Sequence, residues 1–304
     1  MTGLHEPYPT ARGVESAIKD AAQKAARTDS SLDVSQRIQL EYFNRFLSRV
    51  FSAGDASEWV LKGGAGMLAR IPSTRSTLDI DLYRQGFPLD AALEELRWLA
   101  SVDLGDHFRF EYAGHESSVE ADTQPYTQGY RVVFTVYIGV VKRGTVKVDL
   151  AVGAGVTETV HASLPATALA LPRMTSHRYR LYPVVDQIAD KVCATMSDYD
   201  GRPSSREKDL VDIVVFACTQ HIDGEALGFA IDTERQRRGM NPIPQFVVPS
   251  AWGSGYAKLA RPIPHCADYR TVELAAGLAS RLIDPALAGS ARDKTWSATS
   301  LAWE

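Results

Sequence analysis

The stretch "TLDIDL", residues 77–82, alternates strictly between apolar and acidic side chains. Successive side chains of a strand point to opposite faces, so Leu78, Ile80 and Leu82 fall on one face and Asp79 and Asp81 on the other. The pattern recurs in "TVKVDLA", where Val146, Val148 and Leu150 oppose Thr145, Lys147 and Asp149. Upstream, "YRVVFTVYIGVV" aligns Val132, Phe134, Val136, Ile138 and Val140, and Lys142-Arg143-Gly144 offers turn chemistry before the next strand. Strands with one apolar and one charged face require a sheet covered by helices on one side and open on the other.

Helices are expected around these strands. Residues 14–28 are rich in Ala and Lys, and "SQRIQLEYFNRFLSRVF" repeats Phe43, Phe46, Leu47, Val50 and Phe51 at helical spacing. "EWVL" reads as a short strand, followed by Gly63-Gly64, a small helix from Ala65 to Arg70, and a longer helix in "DAALEELRWLA". After the loop "SLPATALALPRM" the pattern becomes helical, beginning with "YPVVDQIADKVCATM". Ser204 and Glu207 have capping-box spacing before another helix, and further helices are expected at 224–237 and 268–283. The Pro- and Gly-rich stretch 239–266 reads as irregular. The fold class is therefore α/β (α+β): a mixed β-sheet flanked by helices, plus a mainly helical C-terminal region. Expected boundaries are 1–55 for N-terminal helices, 56–170 for the sheet core and 171–304 for the helical domain.

Composition narrows the setting. The 304 residues are 45% apolar and 23% charged, as in ordinary globular proteins. No run approaches the roughly 20 apolar residues of a membrane span, and the polar N-terminus does not read as a signal peptide. Three cysteines without CxxC spacing point to a reducing compartment, the cytoplasm, and away from zinc. A net charge of −4 means that a nucleic-acid partner would need a local basic surface. Arg178 and Arg180 in "HRYR", and Arg235, Arg237 and Arg238 in "RQRR", are the candidates.

Aspartates two apart on a strand crowd two negative charges, which solvent or a shared cation must relieve. Magnesium takes hard oxygen ligands, commonly one or two carboxylates with substrate phosphates. Asp149 would complete a two-metal set if its strand pairs with that of Asp79 and Asp81. Gly63-Gly64, between a strand and a helix, lets backbone N–H groups approach a phosphate. The blander readings are a solvated polar strand face and a plain turn.

Together these residues resemble a known family. "GGAGMLAR…STRSTLDIDLYR" is similar to the Gly-Gly…Arg-x-Ser/Thr-x-Asp-hydrophobic-Asp signature of the AbiEii/MenT nucleotidyltransferase toxins, a branch of the DNA polymerase β-like superfamily. "YPVVDQIADKVCA" resembles its lysine-bearing helix, and "RPSSREKDLVDI" its Arg-x-Lys-Asp-x-x-Asp block, covering Arg206, Lys208, Asp209 and Asp212. One departure is Ala65, where the family usually has a hydroxyl residue.

The resemblance implies a nucleotidyltransferase core using two magnesium ions on Asp79, Asp81 and Asp149, with an NTP as substrate. Gly63, Gly64 and Thr77 would serve the phosphates, Lys191 the triphosphate, and Asp209 or Asp212 would orient Lys191 or the acceptor; Lys208 and Asp212 join the nucleotide-binding set. Asp79, Asp81, Asp149, Lys191 and Asp209 form the expected catalytic set. Arg75 would bind phosphate or brace the loop, whereas Trp59 and Tyr83 read as packing residues. Helical spacing also permits Lys208–Asp212 and Arg206–Asp209 pairs. The implied activity is that of a type IV toxin, expected to be a monomer, transferring a pyrimidine nucleotide to the 3′ end of tRNA and held in check by a cognate antitoxin. The arginine clusters would then hold the acceptor stem. Alternatives are transfer to a protein hydroxyl or an aminoglycoside-like small molecule, or a non-catalytic binding protein on the same fold.

Overall fold

The computed structural model describes residues 6–117, 128–199 and 201–304. Contacts divide the chain into two units: residues 1–155 with 161–181, and residues 156–160 with 182–304. This division differs from the expected one. The N-terminal helices share a core with the sheet, and the chain returns to that sheet after residue 160.

In the first unit, α1 (Ala11–Thr28) and α2 (Val34–Val50) precede β1 (Trp59–Leu61) and α3 (Gly63–Arg70). There follow β2 (Ile80–Gln85), α4 (Leu89–Ala100), β3 (Phe108–Ser117), β4 (Gln128–Ile138) and β5 (Val141–Gly153). Two short strands, β6 (His161–Ser163) and β7 (Tyr179–Leu181), complete a seven-stranded sheet of order β3-β4-β5-β2-β1-β7-β6. It is mixed: β2 runs parallel to β5 and β1 to β7, while its other neighbours are antiparallel.

The alternating patterns bury as their period demands. Ile80, Leu82, Val132, Phe134, Val136, Val146, Val148 and Leu150 are all sealed in the core. Helix α2 packs there, its Phe46 ring centroid 5.0 Å from that of Phe134 and 5.3 Å from that of Phe110. The same helix buries Arg49, whose guanidinium donates to both carboxylate oxygens of Asp106 at 2.6 and 3.0 Å. Burial of such a charge is tolerable only when paired.

Three expectations change. Leu78 is 82% exposed rather than on the apolar face, because β2 begins at Ile80. The β4–β5 turn falls on Gly139-Val140, with Ile138 opposite Val141, and Lys142–Gly144 lie within β5. Gly139 has φ +60° while Val140 does not share that sign, the signature of a two-residue II′ hairpin that needs glycine first. Strand β3 has no counterpart in the sequence reading.

In the second unit, α5 (Val184–Met196) is followed by a two-stranded ribbon, β8 (Asp198–Tyr199) and β9 (Arg202–Pro203), then α6 (Glu207–Thr219). Strand β10 (Ile222–Asp223), α7 (Gly224–Arg237), α8 (Ser254–Ala260), α9 (Val272–Leu287), β11 (Thr295–Ser297) and β12 (Ala302–Trp303) follow. Helix α8 lies within the stretch expected to be irregular. Every residue of α6 from Asp209 to Ala217 is buried, so this helix is wrapped on all sides. Its N-cap is Arg206 without a side-chain cap, and the capping box is absent: Glu207 instead accepts from the Gly253 N–H at 3.1 Å. The segment 156–160 is tied to α5, where Asp186 accepts from the Thr157 N–H at 3.0 Å.

Candidate active site

In the first unit, β2 and β5 run parallel with Asp81 directly opposite Asp149 and Ile80 opposite Val148. Residues in register on adjacent strands project to the same face, and those strands lie roughly 4.8 Å apart. Two carboxylates thus sit side by side on the half-exposed face, their apolar neighbours holding the register from the other side. Asp79, just before β2, accepts from the Thr77 hydroxyl at 3.0 Å.

The glycine pair lies inside the first turn of α3 rather than ahead of it. Gly63 has φ +57°, and a Cβ there would stand 1.9 Å from Asp81 Oδ2. A Cβ on Gly64 would meet the Thr77 hydroxyl at 2.9 Å and an Arg75 guanidinium nitrogen at 3.4 Å. The glycines therefore let the start of α3 close directly onto Asp81 and Thr77. Lys62, the N-cap residue, donates its backbone N–H to the Asp81 carbonyl at 2.8 Å. Trp59 and Tyr83 are buried, as packing residues should be. Ala65 is 6% exposed within the core cluster, where a hydroxyl would need its own partner.

Sequence reasoning missed Arg131. It stands on β4 directly opposite Asp149, donating from Nε to Oδ1 at 2.8 Å and from Nη2 to Oδ2 at 2.9 Å. Arg131, Asp149 and Asp81 form one row across three strands. Among the described residues, no three His, Cys, Asp or Glu side chains gather closely enough to hold a metal ion. The donor set still suits magnesium. Asp81 and Asp149 are hard oxygen donors held in register, and Gly63 leaves Asp81 space that any other side chain would fill.

The second unit holds the lysine and its partners. Lys191 on α5 is 5% exposed and donates to Asp212 Oδ2 at 2.6 Å and Asp209 Oδ1 at 3.2 Å. The other Asp209 oxygen accepts from Arg206 Nε at 2.5 Å. Both aspartates are fully enclosed and both accept from Lys191, so neither is a surface residue. Lys208 is exposed and does not form the expected pair with the buried Asp212.

The arginine clusters are engaged locally. Arg238 pairs with Asp190 and, at 2.7 Å, with Glu234; its side chain is 4% exposed. Arg235 pairs with Asp232 at 2.5 Å, and Arg237 is half-buried. Arg178 donates to the Ala162 carbonyl at 2.5 Å, and Arg180 to the carbonyl of Ser57. Of the five, Arg178 is the exposed one.

With this geometry in place, comparison with known proteins is informative. A profile described as "Nucleotidyl transferase AbiEii toxin, Type IV TA system" matches residues 45–277, well over half the chain. The chain belongs to this family. Membership makes the AbiEii chain a nucleotidyltransferase toxin of a type IV toxin–antitoxin system, with an NTP as substrate and a cognate antitoxin as partner. Two solved structures are similar, both from Helicobacter pylori. JHP933 is 14% identical, with 83% of this chain and 94% of that chain covered and a TM-score of 0.42. The other, provisionally described as a nucleotidyltransferase, is 14% identical, with 83% and 96% covered and a TM-score of 0.43. Neither likeness bears on activity. No curated protein matches the chain. Among the described residues, no helix of this AbiEii chain is long and apolar enough to cross a membrane.

Proposed function

We propose that this AbiEii chain is a magnesium-dependent enzyme that transfers a nucleotide, pyrimidine by preference, to the 3′ end of tRNA and so blocks translation. The observation that carries the chemistry is the register of Asp81 against Asp149, beside a glycine pair that admits no side chain. Asp79, Asp81 and Asp149 would hold two magnesium ions. Bound, these supply Lewis acidity to the acceptor hydroxyl and offset charge on the departing pyrophosphate.

The chain's own groups do the rest. Backbone N–H groups at the start of α3 offer donors to phosphate, with Gly63 and Gly64 letting that helix start close onto Asp81 and Thr77. Thr77 fixes Asp79 through its hydroxyl, and Arg75 lies against Gly64 as a phosphate contact. Lys191 takes the triphosphate role by family resemblance, its ammonium aimed by Asp209 and Asp212. Lys208, being exposed, is an auxiliary phosphate contact rather than a partner of Asp212.

The tRNA assignment is drawn from the family resemblance. Arg178 is the best RNA-docking candidate, because it is the exposed member of the two clusters and its guanidinium contacts a backbone carbonyl rather than a buried carboxylate. Incubation with each labelled nucleotide and total RNA, total protein or aminoglycosides in separate reactions, followed by sequencing of RNA 3′ ends, tests the acceptor. Label on tRNA ends supports the assignment, and label on protein or antibiotic alone overturns it.

A further inference from the structure

We infer that Arg131 is a built-in counter-cation for Asp149, occupying the carboxylate while metal is absent and setting how strongly metal must bind to displace its influence. The inference rests on the reading of Asp149 as a metal ligand.

Two aspartates facing each other across adjacent strands repel unless something positive lies near. In the row Arg131–Asp149–Asp81, the positive member is the guanidinium. Its planar fork takes both Asp149 oxygens, at 2.8 and 2.9 Å, the geometry in which arginine binds a carboxylate best. The Asp149 side chain is 14% exposed and that of Arg131 is 43% exposed. The carboxylate is thus sheltered, while the guanidinium borders solvent. A divalent ion approaching Asp149 meets a fixed positive charge and oxygens that have each given up a lone-pair site. Arg131 is a positioning residue: it acts through Asp149.

The test is Mn²⁺ affinity, read by electron paramagnetic resonance on full-length protein without nucleotide, for wild type, Arg131→Gln, Arg131→Lys and Asp149→Asn. Gln keeps a hydrogen-bond donor but removes the charge. Arg131→Gln is expected to tighten Mn²⁺ about fivefold, while Arg131→Lys stays within about twofold of wild type. The metal-free thermal midpoint of Arg131→Gln should fall, and Mn²⁺ should raise it by more than it raises that of wild type. Binding that needs Asp149 but is unmoved or weakened in Arg131→Gln overturns the counter-cation role alone. Binding indifferent to Asp149→Asn removes the ligand assignment, and this inference with it.

Discussion

Gly63 and Asp81 touch: the carboxylate lies where the Cβ of any other residue at position 63 would be, 1.9 Å from Oδ2. The φ of +57° at Gly63 adds a backbone demand to the steric one. Gly63→Ala should therefore cost about 2–4 kcal/mol, combining a left-handed backbone penalty with overpacking, and should abolish transfer. Gly64→Ala, without the positive φ and with a contact of 2.9 Å to a hydroxyl, should cost only about 1 kcal/mol. Urea unfolding of both variants reads the difference, and equal losses would contradict it.

The buried lysine is an ionic knot within the second unit. Asp212→Ala removes the 2.6 Å partner of Lys191 and leaves Asp209 shared between Lys191 and Arg206. Breaking a buried pair in this way should destabilise by about 3–5 kcal/mol, whereas Lys191→Met combined with Asp212→Leu should recover part of that. A double-mutant cycle on unfolding free energies measures the coupling, and additivity would show that the knot is not a unit.

Acid should loosen the link after α1. Partial burial pushes the Asp29 carboxyl up, but hydrogen bonds from the Ser31 backbone and hydroxyl, from Arg37 and from Ser73 together outweigh it and hold the group at about 2. A depressed carboxyl stabilises the fold above its unfolded pKa near 3.8, and that contribution is lost as pH falls from about 4 to 2. With a side chain 36% exposed, the effect should be about 1 kcal/mol or less. Asp29→Asn should flatten this part of the pH–stability curve; an unchanged curve would contradict the assignment.

The thiols should be inert in the native state. Burial pushes Cys193 and Cys266 up to about 12 and Cys218 to about 11. At pH 8 the thiolate, the reactive form, is then scarce at all three. Intact-mass analysis after iodoacetamide at pH 8 should show no rapid adduct on native protein and three on the unfolded chain. Fast native labelling would argue for an open thiol site.

Much of the sheet was legible because half-buried strands carry their facing in a two-residue period. Asp81 and Asp149 could be placed on charged strand faces from that period alone, whereas Asp79 falls just before β2. Arg131 was hidden by the hairpin turn: a turn centred on Arg143 sets Tyr137 opposite Asp149, whereas the turn at Gly139-Val140 sets Arg131 there. The pairing of β2 with β5 is a long-range choice that alternation permits without specifying. The enclosure of Lys191, Asp209 and Asp212 was equally invisible, since α6 carries charges at surface-like spacing while other elements cover every side of it.

The central claim is that Asp81 and Asp149 act together on a divalent ion during nucleotide transfer. Pyrophosphate release from NTPs in the presence of RNA, titrated with Mg²⁺, tests it in wild type, Asp81→Asn and Asp149→Asn. Mg²⁺-dependent release in wild type, reduced at least about a hundredfold in each variant while both remain folded, is the predicted result. Release that survives in either variant, or that needs no divalent ion, would contradict it.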